Sequence, residues 1–167
     1  VDSVSTPAWC IVDYHYPARR KQPPVHLTWY DSGKRPELLN GLKDLQGNPI
    51  APWGGGQLFI GSKGMILSNY SSHMVLVDGQ QVEHQAPDPW IPKSIGHHNE
   101  WLQAIKEDGE TTCNFDYSGG LTESVLLGTV AYQSGVELEW NSKKLQVTNS
   151  KEAQNLIHKE YRKGWEL

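Results

Sequence analysis

Apolar and polar residues alternate with period two in several short runs and recur at three-to-four-residue spacing in two longer ones. These two periods predict strands and helices respectively. In Ala8–Tyr16 the residues Cys10, Val12, Tyr14 and Tyr16 share one side, and Trp9, Ile11, Asp13 and His15 the other. In Val25–Asp31, Val25, Leu27 and Trp29 alternate with His26, Thr28 and Tyr30. The proline-bounded turn between them, with Arg19, Arg20 and Lys21, predicts an antiparallel hairpin and reads as a solvated basic loop. Gln57–Gly61 and Met65–Asn69 predict a second hairpin across Ser62-Lys63-Gly64. Met74–Val77 predicts a further strand, turned by Asp78-Gly79, a pair suited to two-residue turns with positive φ. Gln80–Ile95 contains Pro87, Pro89 and Pro92 and reads as an extended connection, since proline cannot donate to a central ladder.

The helical periods come later. Trp101, Leu102 and Ile105 form one apolar stripe on a helix opening near His97 and ending at Asp108-Gly109, where glycine suits a left-handed cap. A second helix is expected to start between Asp116 and Gly120, capped by Asp116 or Ser118, and to stop at Gly135. Leu121, Val125, Leu126, Val130 and Ala131 give it a wide apolar face, which predicts a well-buried helix. Val136, Leu138 and Trp140 alternate with Glu137 and Glu139 as a half-buried strand. Glu137–Asn141 and Leu145–Thr148 are expected to pair across Ser142-Lys143-Lys144. Asn149 and Glu152 have capping-box spacing and predict a last helix through His158. Ser32–Gly56 is the longest irregular stretch and allows a short helix over Glu37–Leu45. A loop of that length is functional or disordered more often than not.

The order of elements predicts one α+β domain over residues 1–167: an open, mostly antiparallel β-sheet with helices packed on one face. A sheet covered on one side leaves its other side bare. Trp9 with Ile11, or Tyr30, cannot all be covered by the same helices, so homo-oligomerisation across that face is expected.

Composition narrows the functional classes. The 167 residues carry a net charge of −4, which argues against a duplex nucleic-acid partner, since that needs a basic face. No apolar run approaches the roughly 20 residues that span a bilayer, and no signal segment is visible. Cys10 and Cys113 are too few for a disulfide scaffold and are expected as two buried thiols. Seven Trp and seven Tyr stand against two Phe. Such amphipathic aromatics suit both sugar stacking and interfaces.

Candidate site residues each carry a structural reading beside a functional one. His97 and His98 open a helix. They can cap it or contact a hydroxyl-rich or anionic substrate. A shared metal ion is disfavoured, because adjacent helical residues point about 100° apart, unlike an H-x-x-x-H pair. Lys34 and Arg35 follow a strand and the tight Asp31-Ser32-Gly33 turn. They read as solvated charges or as ligand contacts on a rigid corner. Trp53, before three glycines, reads as loop packing or as a sugar-stacking platform. Tyr161, Arg162 and Lys163 read as a docked tail or a ligand contact. No nucleophile emerges. Ser62 in GSKG is no nucleophile elbow, Cys113 has no base, and Glu137 with Glu139 are solvent-facing sheet residues. No catalytic residue and no metal site are assigned.

Glu100-Trp101-x-x-Ala104-Ile105 leading to Gly109, then a long helix ending Tyr132-x-Ser134-Gly135 and a Val136-Glu137-Leu138 strand, resembles the C-terminal domain of the Gfo/Idh/MocA oxidoreductases. LTWYDSGKRP at Leu27–Pro36, LFIGSKG at Leu58–Gly64, GHHNEW at Gly96–Trp101 and YRKGW at Tyr161–Trp165 are similar to its bacterial branch. The resemblance implies a part of an NAD(P)-dependent sugar or polyol dehydrogenase that forms one side of the substrate pocket and the oligomer interface. NAD or NADP would sit on a Rossmann domain upstream of Val1. The G-x-G-x-x-G, E-K-P and D-x-x-x-H motifs that carry cofactor and proton transfer in the family are absent from this chain. The chain alone is therefore expected to be inactive and to bind NAD(H) and NADP(H) negligibly. The resemblance equally covers NAD-dependent glycosidases, which oxidise a sugar transiently. The competing class is a standalone carbohydrate-binding or protein-interaction module built on exposed Trp and Tyr. The shared-pocket expectation places Lys34, Arg35, His97 and His98 on one rim, with Trp53 as the nearest stacking aromatic.

Overall fold

A computed structural model of the chain describes residues 5–50 and 53–166. The chain is α+β, with three α-helices and open antiparallel sheets. It divides into two compact units, one spanning Trp9–Ile91 and one built on Ser5–Ala8 together with the described residues from Pro92 onward.

The first unit carries the expected hairpins. β1 (Ile11–Tyr16) pairs antiparallel with β2 (Val25–Tyr30) in the register Ile11↔Tyr30 to Tyr16↔Val25. A separate four-stranded sheet has the order β3 (Gln57–Gly61), β4 (Gly64–Ser68), β5 (His73–Val77), β6 (Gln80–Val82). Asp78 and Gly79 take φ of 50° and 78° in the β5–β6 turn, the two positive values that a type I′ turn needs. β6 falls within the stretch expected as a connection. Gln80-Gln81-Val82 pair with β5 before the prolines begin, so only the remainder is unpaired.

Antiparallel register decides the two faces of this sheet, because directly opposed residues share a face. Leu58, Leu67 and Met74 lie on one side together with Ile60, Met65 and Leu76. Against that side sits the segment before β3. Leu39 and Leu42 join Leu67 and Leu76 in the core, with Ile50 and Trp53 packed around them. The expected short helix here is a 3-10 helix, Glu37–Gly41. Beyond it the long stretch is tightly organised. Lys43 N–H donates to Gly79 O at 2.9 Å and Gln81 N–H to Lys43 O at 2.8 Å, so Lys43 runs parallel beside β6. The Asp44 carboxylate then accepts the N–H groups of Gln46 and Asn48 at 2.9 and 2.8 Å, closing a turn. Its carboxyl is held below the usual range, chiefly by the Asn48 backbone N–H.

The second unit holds α1 (His97–Glu107) and α2 (Phe115–Ser134), the β-hairpin β7 (Trp140–Asn141) with β8 (Gln146–Val147), and α3 (Lys151–Asn155). Its element order follows the sequence pattern, but its details depart from it. Asp108, not Gly109, takes the left-handed C-cap of α1, at φ 53°. Asp108 closes this turn because a short polar side chain tolerates that region. α2 starts one residue before Asp116 and is capped by Asn114, whose Oδ1 accepts the Tyr117 N–H at 3.0 Å. The Ser118 hydroxyl instead donates back to the Asn114 carbonyl. Gly135 ends α2 with φ 68° as expected.

Burial departs most. α2 buries only Gly128, and Leu121, Val125 and Leu126 are exposed. The predicted strand over Glu137–Asn141 shrinks to its last two residues, Trp140–Asn141. Asn149 does not cap α3. Its amide accepts Glu139 N–H at 2.9 Å and donates to Glu137 O at 2.8 Å, fastening the segment before β7. Ser150 is the cap, accepting Ala153 N–H, and α3 ends at Asn155, short of His158. Both cysteines are free. Neither is buried: Cys10 is half-buried and Cys113 exposed. No helix of the described residues is long and apolar enough to cross a membrane.

Candidate functional site

The candidate residues fall in both units and are described unit by unit. In the sheet-bearing unit, Asp31 turns the chain after β2. Its Oδ1 accepts Ser32 N–H at 2.6 Å and its carbonyl accepts Lys34 N–H at 3.0 Å. Ser32 and Gly33 take φ of 50° and 80°, so glycine is required at the second position and the turn is narrow. The turn directs Lys34 back over the indole of Trp9, with Nζ 4.2 Å from the ring centroid. This cation–π contact gives Lys34 a fixed place at the hairpin's end. Arg35, one residue on, is exposed.

Trp53 is half-buried and packs on the leucine core. Pro52 before it lies outside the described residues. Among the described residues the buried Trp53 indole N–H has no hydrogen-bond partner. A Cβ at Gly56 would lie 2.9 Å from that nitrogen and collide with the Ser68 carbonyl, so Gly56 is what lets Trp53 approach the sheet.

In the helical unit, His97 and His98 are exposed and their rings lie 4.2 Å apart, tilted by 47°. The two rings touch one another. Glu100 locks the segments on either side of α1. Its carboxylate accepts the Ser94 hydroxyl on one oxygen and the Thr112 hydroxyl, at 2.6 Å, on the other. These bonds, Ser94 first, hold the Glu100 carboxyl below its usual range. Asn99 Nδ2 donates to Ile95 O at 3.0 Å. No group of three metal-ligating side chains occurs among the described residues.

The tail residues are exposed and paired among themselves. Arg162 stacks on Trp165 at 4.5 Å, and Lys159 lies 5.8 Å from the Tyr161 ring. Leu167 lies outside the described residues.

One polar cluster was not singled out by the sequence. On the face of the β1–β2 hairpin opposite Trp29 and Leu27, Asp13 Oδ1 accepts the Thr28 hydroxyl at 2.7 Å and lies 2.9 Å from His26 Nε2. His15 stacks on His26 at 4.6 Å. The signal was present in the alternation: Asp13 and His15 share a face, and the hairpin register brings Thr28 and His26 opposite them.

No family model matches the chain, and no curated protein and no solved structure is similar to it.

Proposed function

We propose that this chain is the substrate-side and oligomerisation part of an NAD(P)-dependent oxidoreductase acting on sugars or polyols, similar to the Gfo/Idh/MocA C-terminal domain. The dinucleotide would be held by a Rossmann domain elsewhere in the full protein. The ordered motifs from Leu27 to Trp165 support this reading.

The observation that carries it is the outer side of the four-stranded sheet. Phe59, Ile66, Val75 and Val82 are opposed pair by pair across all four strands, on the side away from the leucine core. Phe59 is 60% exposed and Ile66 44%. A continuous apolar row on an open sheet is costly in water at about 25 cal/mol per Å². It suits a surface that works only when another protein surface covers it. A second copy of the chain is the proposed cover, and the pocket would be completed by the cofactor-bearing domain.

The test is an assay of the protein encoded by the full reading frame. Nicotinamide reduction with a panel of sugars and polyols is expected for that protein, and none for residues 1–167 alone. A reading frame without an upstream G-x-G-x-x-G and E-K-P would overturn the enzyme reading and favour the binding module. Exposed Trp90 and Trp101 would then be its first contact candidates.

A further inference from the structure

We propose that His15 and His26, opposed across the β1–β2 hairpin, bind a transition-metal ion of the Zn²⁺ or Ni²⁺ type, with Asp13 behind them as the carboxylate that orients His26. The site goes beyond the proposed function and does not rest on it.

Six of the seven histidines of the chain meet in three ring pairs: His15 with His26, His73 with His84, and His97 with His98. His97 and His98 are chain neighbours at a helix start, and His73 meets His84 edge to face at 6.4 Å. Among the described residues, only the His15–His26 pair has a ring nitrogen bonded to a carboxylate. The hairpin register sets His15 directly opposite His26, and Asp13 directly opposite Thr28. Residues two apart on a strand share a face, so all four side chains project from one side of the ribbon. The two imidazoles stack at 4.6 Å with their planes 14° apart, and both residues are exposed, so an ion in solution reaches them.

The hydrogen bonds decide which nitrogen is offered. His26 Nε2 lies 2.9 Å from Asp13 Oδ1, and the Thr28 hydroxyl donates to the same oxygen at 2.7 Å. Those two bonds, Thr28 first, hold the Asp13 carboxyl below its ordinary value, so it is ionised at neutral pH. An ionised carboxylate only accepts, which puts the proton of a neutral His26 on Nε2 and the lone pair on Nδ1. A carboxylate behind an imidazole fixes its tautomer and raises the basicity of the other nitrogen, the arrangement found behind metal-bound histidines. Stacked rings do not aim their lone pairs at one ion, so binding opens the stack. His15 is the ring that turns, since it makes no hydrogen bond among the described residues. Two nitrogens on a tetrahedral Zn²⁺ stand roughly 3.3 Å apart, within reach of rings this close. Imidazole suits Zn²⁺, Ni²⁺ and Cu²⁺, whereas Mg²⁺ and Ca²⁺ take oxygen ligands. No third metal-ligating side chain joins the pair among the described residues. Water fills the other positions, and the ion exchanges readily. An isolated two-stranded ribbon is only marginally stable, so an ion bridging its strands would also stabilise it.

Zn²⁺, with Mg²⁺ as control, should be titrated into the 167-residue chain at neutral pH and followed by histidine-ring and amide chemical shifts. Saturable shifts are expected at the His15 and His26 rings and at the amides of β1 and β2. The other histidine rings should stay unmoved, and Mg²⁺ should shift none. Long-range proton–nitrogen spectra should show His26 protonated on Nε2 with and without the ion. His15→Phe keeps a ring in the stack and removes its nitrogens. It should lose saturable Zn²⁺ binding while its metal-free hairpin amides keep their wild-type shifts. Asp13→Asn should weaken binding about tenfold or more and release the His26 tautomer. Absence of a saturable response at millimolar Zn²⁺, a response centred on another histidine pair, an equal response to Mg²⁺, or a His15→Phe chain that binds like the wild type would each overturn the assignment.

Discussion

In the sheet-bearing unit Leu42, Leu67 and Leu76 keep 1% or less of their surface exposed, whereas the 20-residue helix α2 of the other unit buries a single glycine. Both regions are rich in apolar residues at the correct period. The sheet side is covered because its own neighbouring segment folds back on it, with Lys43 hydrogen-bonded to the β5–β6 turn. α1 and α2 carry Trp101, Ile105, Leu121 and Val125 with no such cover. Periodicity reports which side of an element is able to be buried. Whether a partner surface exists is a separate question, settled by what the chain brings to that side.

The sharpest way to break this contrast is to truncate one leucine in each region. Leu76→Ala removes a fully buried side chain and should destabilise the sheet unit by about 2–5 kcal/mol. Leu126→Ala on α2 removes an exposed one and should change stability by about 0.5 kcal/mol or less. Denaturant melts of both variants check this. Equal losses would mean that α2 is packed in solution and that the contrast is false.

The next effect separates the two uncovered surfaces. If the outer sheet side is where copies meet, the double change Phe59→Asp and Ile66→Asp should raise the dissociation constant of the oligomer at least about tenfold, some 1.4 kcal/mol. Trp101→Asp on α1 should leave it unchanged. Light scattering across a concentration series reads both. A wild-type chain that stays monomeric at high concentration would sink the idea.

Smaller again is the cap of α2. Asn114→Ala should cost about 1 kcal/mol, and Asp116→Ala should leave the cap bond intact. Reversal of that order in thermal melts would restore Asp116 as the cap. The distinction bears on how much was readable in advance. Hairpins at Gly64 and Asp78-Gly79, and the helix stop at Gly135, were legible because positive φ leaves few residue choices. Caps were missed by one or two positions, at Asn114, Asp108 and Ser150, because several neighbouring short polar side chains can serve and only the backbone path chooses. β6 was hidden by the prolines that follow it. Of the candidate site, the Asp31–Gly33 corner under Lys34 was legible, and so was the packing reading of Trp53. The cluster of Asp13, His15, His26 and Thr28 was not. Alternation shows which residues of one strand share a face, and only the hairpin register sets the two strands' residues opposite each other.

The smallest expected effect lies on the polar side of the β1–β2 hairpin. The Thr28 hydroxyl, then His26, hold the Asp13 carboxyl below its ordinary value of 3.8. A depressed carboxylate binds its proton more weakly in the folded chain than in the unfolded one. Its contribution is therefore fully present above pH about 3.8 and is lost as pH falls through the lower folded value. Asp13 is largely solvated, so screening keeps the effect small. Asp13→Asn should lower hairpin stability at neutral pH, with the gap to wild type closing as the solution is acidified below that value. Stability measured from pH 7 downward for both chains decides it. A gap that stays constant through the acid range would mean that the carboxylate's charge is not what ties the two strands, and that the variant's loss comes from the changed hydrogen bonding to Thr28 and His26 alone.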